Sequence, residues 1–166
     1  MNMSVSARKN LREKDARVIL TDFKSRFKFD EEIFDPKPKV ESIQLRDGEL
    51  ILVDGKSAIL KKNGHLLPAL KFDTVIRKLS RVVVDMGAVS HICNGADVMA
   101  KGITRVDGEF KKGDLVVVVD EKYGKDLAIG EALEPSASIR EMGKGKAISN
   151  LHYVGDDAWS VMKTLG

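Results

Sequence analysis

The sequence predicts an α+β protein in two parts: an N-terminal helix with an antiparallel sheet over residues 1–79, then a small, partly closed β-barrel over residues 80–166 that ends in a C-terminal tail. Three observations predict it. Near the start, Ala16, Ile19, Leu20, Phe23 and Phe27 recur three and four residues apart, the spacing of a helix with one buried face. From Val40 onwards, short β-branched or alternating runs follow one another across turn signals. The second half carries several short strand candidates divided by glycines, with one or two short helices, the pattern of a small barrel.

In the first helix, Arg8, Lys9, Arg12, Lys14, Arg17, Lys24 and Arg26 supply the polar positions. Asp30 to Pro38 is acidic and then interrupted by proline, so it reads as the loop that ends the helical region. Val40–Leu45, Glu49–Val53 and Ala58–Lys61 follow as strands, divided by Asp47-Gly48 and Asp54-Gly55 and closed by Asn63-Gly64. This is an antiparallel meander packed on the first helix. Phe72, Val75, Ile76 and Leu79 predict a short bridging helix over Phe72–Leu79. Val82-Val83-Val84 is a buried strand signal, and Met86–Cys93 a short helix that Asp85 is placed to cap. Val98-Met99, Leu115–Val119, Asp126–Leu133 and Ala147–Val154 are further strands, with Gly102, Gly113, Gly124 and Gly143-Lys144-Gly145 between or beside them. With aromatics at only 5%, the core is expected to be aliphatic.

A chain of 166 residues is too short for an eight-unit α/β barrel, and 43% hydrophobic with 32% charged residues describes a soluble globular protein. A single cysteine, Cys93, excludes an intramolecular disulfide and a Cys-rich zinc site. No apolar run approaches the roughly 20 residues of a bilayer span, so no membrane partner is expected, and the expected location is the cytoplasm. The net charge of +3 conceals an asymmetry: residues 1–79 carry 17 Lys+Arg against 12 Asp+Glu, and residues 80–166 carry 11 against 13. The excess sits in residues 1–28, with eight basic and three acidic side chains. Such a face is either solvated or in contact with RNA phosphates, which makes Arg8, Lys9, Arg12 and Arg17 secondary RNA-binding candidates.

Catalytic motifs fail on spacing. Gly143-Lys144-Gly145-Lys146 lacks the Walker spacing and the Ser/Thr after lysine. His65, His91 and His152 have no paired metal-ligand spacing, Cys93 beside His91 is too poor a set for zinc, and no nucleophile elbow is present. No enzymatic activity, metal or cofactor is expected.

The second half resembles the PUA domain, an RNA-binding pseudo-barrel. The resemblance covers nearly all of residues 80–157 and rests on Val84-Asp85-Met86-Gly87-Ala88-Val89, Asn94-Gly95-Ala96-Asp97-Val98-Met99-Ala100-Lys101-Gly102-Ile103 and Phe110-Lys111-Lys112-Gly113-Asp114-Leu115-Val116-Val117-Val118, then on Ala128-Ile129-Gly130-Glu131-Ala132 and Gly145-Lys146-Ala147-Ile148. One departure stands out: the family usually has Pro-Gly-Ile where this chain has Lys101-Gly102-Ile103. A narrower likeness, to the malignant T-cell amplified sequence family, lies in Asn150-Leu151-His152-Tyr153-Val154-Gly155-Asp156-Asp157-Ala158-Trp159 and in Ala58–Lys71. Those proteins, with ligatin, place a dedicated N-terminal domain before the PUA domain, and this chain looks most like a prokaryotic, archaeal member. The resemblance therefore implies a pre-PUA α/β domain followed by a PUA pseudo-barrel.

The RNA groove that the resemblance implies maps to Gly87, Ala88 and His91, to Gly95, Ala96, Asp97, Val98, Met99, Ala100, Lys101 and Gly102, and to Lys144, Lys146, His152 and Tyr153. The lysines would meet phosphates, and His91, His152 and Tyr153 an unpaired base. Gly87, if it opens the helix, would expose N–H groups to a phosphate; both glycine steps are equally explained as turns. For His152 and Tyr153 individually, core packing competes with base contact. Trp159, with Leu151 and Val161, reads as a plug that pins the tail. The function expected is recognition of structured tRNA or rRNA, associated with translation or the small ribosomal subunit. The alternatives are an adaptor for an initiation-factor-like protein partner and an RNA-positioning subunit for a separate tRNA-modifying enzyme.

Overall fold

Turn chemistry orders the first sheet. The computed structural model describes residues 8–27 and 32–165, so the start of the expected loop, Asp30 and Glu31, lies outside the described residues, as does Lys28 of the basic stretch. After β1 (Lys9–Asn10) and α1 (Glu13–Arg26), four strands run as a meander: β2 (Val40–Leu45), β3 (Gly48–Val53), β4 (Lys56–Lys62) and β5 (His65–Pro68). Asp54-Gly55 and Asn63-Gly64 take positive φ at both central residues, the turn whose twist matches two flanking antiparallel strands. β1 adds to the outer edge, pairing Lys9 with Ser42 and Asn10 with Glu41.

The apolar face of α1 closes this sheet as expected, with Ala16, Leu20 and Phe23 buried against Val40, Ile51, Val53 and Ile59. The core here departs from the aliphatic expectation. Phe23 stands 4.9 Å from Phe27 and 6.1 Å from Phe34 and Phe72, so a few aromatics are concentrated under one helix. The bridging helix is shorter than Phe72–Leu79: α2 (Asp73–Ile76) gives way to i→i−3 bonds from the Lys78 and Leu79 N–H groups to Val75 and Ile76.

The second sheet contains β6 (Arg81–Val84), β7 (Val98–Met99), β8 (Ile103–Asp107), β9 (Leu115–Asp120), β10 (Asp126–Ala132) and β11 (Lys146–Tyr153), in the order β7-β11-β10-β9-β6-β8. Only β6 and β9 pair in parallel; the other neighbours are antiparallel. Three helices accompany it: α3 (Met86–Ile92), α4 (Ser136–Glu141) and α5 (Asp157–Thr164). β8 and α4 are short and had no strong periodic signal, and α5 lies in what reads as a tail although Ala158, Val161 and Met162 recur at helical spacing. The two edge strands β7 and β8 are joined by a single 3-10 turn, Ala100–Gly102, so the sheet curls into the expected half-barrel. Its interior is aliphatic, with Val82, Val84, Val116, Val118, Leu127 and Ile148 all buried.

One core cluster runs between the sheets: Ile43, Leu50, Leu60 and Leu67 of the first pack with Val83, Val117, Ile129, Val161 and Met162 of the second half. A polar network crosses the same seam. His152 is fully buried; its Nε2 accepts the Leu70 N–H at 3.1 Å, which assigns the ring proton to Nδ1, 2.7 Å from Asp156 Oδ2. Asp156 also accepts the N–H groups of Tyr153 and Trp159 and so caps α5. Lys62 Nζ adds a bond to the Leu151 carbonyl at 3.0 Å. Trp159 packs on the shared cluster with Lys71 Nζ 5.4 Å from its ring, the plug expected of the tail. Among the described residues no helix is long and apolar enough to cross a membrane.

His152→Ala leaves the Leu70 N–H and a buried carboxylate without their partner and opens a cavity. It should cost about 2–4 kcal/mol in urea unfolding. The acid limb of stability has a defined source at Asp156. Burial pushes its carboxyl up, but the His152 hydrogen bond and the Trp159 and Tyr153 N–H groups outweigh this and hold it below the ordinary range. A lowered folded value means stabilisation that is complete above about pH 4 and lost as pH falls through that folded value. Asp156→Asn should therefore flatten the fall in stability below about pH 4, read by denaturant titrations at stepped pH.

Candidate nucleic-acid interface

The closure of the half-barrel creates a groove. α3 lies on one side, β7 and the Ala100–Gly102 turn on the other, and the start of β11 at one end; the space holds ≈ 640 Å³. Asp85 fixes α3 twice: its carboxylate accepts the Ala88 N–H at 2.9 Å, and its own N–H donates to the Gly102 carbonyl at 2.9 Å. Helix and turn approach so closely that a Cβ on Gly102 would stand 3.3 Å from that of Ala88. Gly95, at φ +94°, turns the chain from α3 towards β7 with the Tyr153 hydroxyl 3.1 Å from where a Cβ would lie.

The lining sorts by chemistry. Ile92 and Val98 form an apolar floor and are almost wholly buried. Gly87, Ala88, Ala96 and Gly102 keep the walls low, and His91 and Met99 stand exposed on them, Met99 at 45%. Lys101 and Lys146 are the cations. Lys101 is exposed and makes no ion pair with a described residue. Lys146 Nζ lies 3.5 Å from Asp97 Oδ2. Asp97 is also structural, because its Oδ1 accepts the Asn150 N–H at 2.9 Å; Asn150 Nδ2 in turn binds the Ile92 and Ala96 carbonyls and ties β11 to the end of α3. An apolar slot with exposed thioether and imidazole groups and cations at its lip suits one unpaired nucleotide, base inward and phosphate outward.

The expected site residues divide accordingly. Gly87, Ala88, His91, Ala96, Asp97, Val98, Met99, Lys101, Gly102 and Lys146 come together in the groove, and Asp85 and Ile92, not assigned to it from the sequence, join them. His152 does not: it is fully buried at the seam and its ring nitrogens are engaged, so base contact is corrected to a structural role. Ala100 is buried and holds the turn by donating its N–H to Gly145, and the Val98 side chain faces the core, so neither offers a polar contact. Gly95 and Tyr153 support the groove from behind, and Lys144 lies in the exposed turn before β11, beyond the lining. At the start of α3, where a phosphate was expected, Asp85 already occupies the Ala88 N–H and sets a carboxylate beside the helix end. Of the secondary candidates, Arg8 is held by both oxygens of Glu41, at 3.1 and 3.2 Å, and Arg17 pairs with Glu13 at 3.3 Å. Lys9 and Arg12 are exposed on β1 and before α1. Among the described residues no group of three His, Cys, Asp or Glu is arranged to hold a metal ion.

Comparison with known proteins agrees with this architecture. Residues 80–154 match the PUA domain. A protein of Methanocaldococcus jannaschii described as uncharacterized is 40% identical over 161 residues, 95% of this chain and 98% of that one. Translation machinery-associated protein 20 of Saccharomyces cerevisiae is 30% identical over 141 residues, 78% of this chain and 76% of that one. The crystal structure of a hypothetical protein from Pyrococcus horikoshii OT3 superposes with a TM-score of 0.77 at 34% identity, covering 94% of this chain and 99% of that one. With an RNA-binding fold in its second half and relatives that run through both halves, the chain belongs to the PUA-domain family that includes translation machinery-associated protein 20 and malignant T-cell-amplified sequence 2.

Proposed function

We propose that this chain is a non-catalytic RNA-binding protein of the cytoplasmic translation apparatus, which takes an unpaired nucleotide of a structured tRNA or rRNA into the groove between α3 and the Ala100–Gly102 turn. The observation that carries this reading is the convergence in one groove of an apolar floor, the exposed Met99 and His91, and two lysines. The translation setting is supported by the relative named translation machinery-associated protein 20, and the small ribosomal subunit is the assembly on which such a protein would act.

Lys101 replaces the family's proline without geometric cost. A 3-10 residue has φ near the value to which proline is locked, so the exchange keeps the turn and adds a cation beside the groove. A second reading, an adaptor for an initiation-factor-like protein, is favoured by one feature: a ≈ 720 Å³ hollow between α1 and residues 32–40 that mixes Leu20 and Phe34 with Arg17, Lys24 and Glu32. Co-purification before and after nuclease treatment separates the two readings.

Filter binding against total tRNA and rRNA tests the first. Lys101→Glu with Lys146→Glu should weaken binding about tenfold or more and reduce the salt slope by about 1 per lysine. Asp97→Asn moves the other way, since it frees Lys146 while its remaining oxygen still accepts the Asn150 N–H; binding should tighten a few-fold at low salt. Unchanged affinity in the double variant would remove the groove assignment.

A further inference from the structure

The turn between β9 and β10, Glu121–Lys125, holds an aromatic ring in solvent. Asp120, 3% exposed, accepts the backbone N–H groups of Lys122 at 2.9 Å, Tyr123 at 2.5 Å and Lys125 at 3.0 Å. The Gly124 N–H closes the turn on the Asp120 carbonyl at 3.1 Å. Led by the Tyr123 N–H, these donors hold the Asp120 carboxyl below its ordinary range, so it stays ionised at neutral and mildly acidic pH and the turn keeps one shape. What the turn displays is Tyr123, 64% exposed, with Lys122 Nζ 5.2 Å and Lys125 Nζ 5.9 Å from its ring centre. A solvent-exposed ring on a fixed turn, with two flexible ammonium groups over it that can swing to phosphates as a base takes a ring face, has the composition of a nucleobase platform. A protein partner would call for a wider apolar surface than this one ring gives.

Its position strengthens the assignment. The Glu121 N–H donates to the Val84 carbonyl at 2.9 Å, and the next residue, Asp85, donates to Gly102 in the groove wall at 2.9 Å. Turn and groove are thus joined through two consecutive residues at the end of β6, where Met86 is also 39% exposed. On its far side the turn reaches a ≈ 780 Å³ cleft between the two sheets, where Lys56 and Lys71 stand on the N-terminal side. Asp73 and Asp126 line that cleft too. Burial raises Asp126, with Asp73 adding to the rise against Arg81. At neutral pH the two carboxylates oppose a phosphate inside the cleft, whereas Lys56, Lys71 and Lys125 are exposed where they line it.

We propose that RNA seated in the groove continues over this turn, with one further unpaired base stacked on Tyr123 and its flanking phosphates on Lys122 and Lys125. This rests on the reading of the groove as an RNA site. The test uses the full chain and fluorescein-labelled oligoadenylates of about four and about twelve nucleotides, within the span of single-stranded site sizes, read by anisotropy at low salt. Tyr123→Ala should weaken the longer probe about fivefold or more and leave the shorter one unchanged. Tyr123→Phe should restore it, because the ring and not the hydroxyl makes the stack. Lys122→Glu with Lys125→Glu should weaken the longer probe and lower its salt slope by about 1.4, the value for two phosphate contacts on a single strand. Lys101→Glu with Lys146→Glu should weaken both probes. Wild-type affinity for the longer probe in Tyr123→Ala, or an equal loss on both probes, overturns the platform while leaving the groove intact. Loss on Tyr123→Ala with no effect of the Lys101 and Lys146 changes overturns the groove, and with it the continuous path. Circular dichroism of each variant confirms that the exposed substitutions leave the fold unchanged.

Discussion

Two edges of one sheet separated by three residues of chain cannot stay apart. β7 and β8 lie at opposite ends of the strand order, yet Ala100–Gly102 is all that connects them. Three residues reach at most about 10 Å even when extended, whereas six strands laid flat at about 4.8 Å spacing would hold the edges more than 20 Å apart. The sheet must therefore curl until its edges meet. α3, inserted between β6 and β7, is left over the junction, and the bonds from Asp85 to Gly102 and from Ala100 to Gly145 fasten it there. The groove is a by-product of closure, which is why its walls are small residues and its floor is barrel core.

The same constraint explains the electrostatics. Both carboxylates in the groove are committed to the scaffold, Asp85 to the Ala88 N–H and Asp97 to the Asn150 N–H and Lys146. Their acceptor capacity is largely used internally, so they repel an incoming phosphate less than two free carboxylates would. Lys101 carries its charge on the closing turn itself, where the backbone is pinned from both sides. Cationic recognition at such a position depends less on side-chain ordering than it would on a loose loop. The half-barrel as a whole carries more acidic than basic residues, so attraction for a polyanion is local to the groove and the β9–β10 turn.

Much of this was legible in the sequence, and the losses have physical causes. The meander was readable because Asp54-Gly55 and Asn63-Gly64 fix hairpin turns by local chemistry alone. α3 and its cap were readable from Asp85 and the small residues after it. His152 was placed in the groove because the resemblance implied it for the last strand as a whole, but a bulge breaks that strand's alternation: Ile129 pairs with His152 and Gly130 with Asn150, leaving Leu151 unpaired. An extra residue reverses the face on which later side chains emerge, and His152 turns to the seam instead of the groove. Arg8 was legible as a cation but not as a paired one, since Glu41 is brought to it only by the pairing of β1 with β2, whereas Arg17 meets Glu13 four residues before it on α1, a pairing local to the sequence. α5 left local signals, the capping Asp156 and the helical spacing of Ala158, Val161 and Met162, but its stretch read as a tail because the surface those residues cover belongs to the other half. The β9–β10 turn carried no signal beyond a glycine, because Asp120 holds it through backbone N–H groups that any sequence possesses.

The seam decides how the two halves act together. A flexible tether would let each half find its own partner, with any gain set by an effective concentration. Here Ile43, Leu60 and Leu67 share a core with Val117, Ile129 and Met162, and His152, oriented by Asp156 in its own half, accepts the Leu70 N–H across the seam. Separating the halves would expose that core and break the bond from the Leu70 N–H to His152, far more than thermal motion supplies. The exposed cations around α1, the groove and the Tyr123 turn are therefore held at fixed spacing. On the proposed function, a large RNA touching more than one of them would have to match that spacing, so shape would select among structured RNAs even with a groove sized for a single nucleotide.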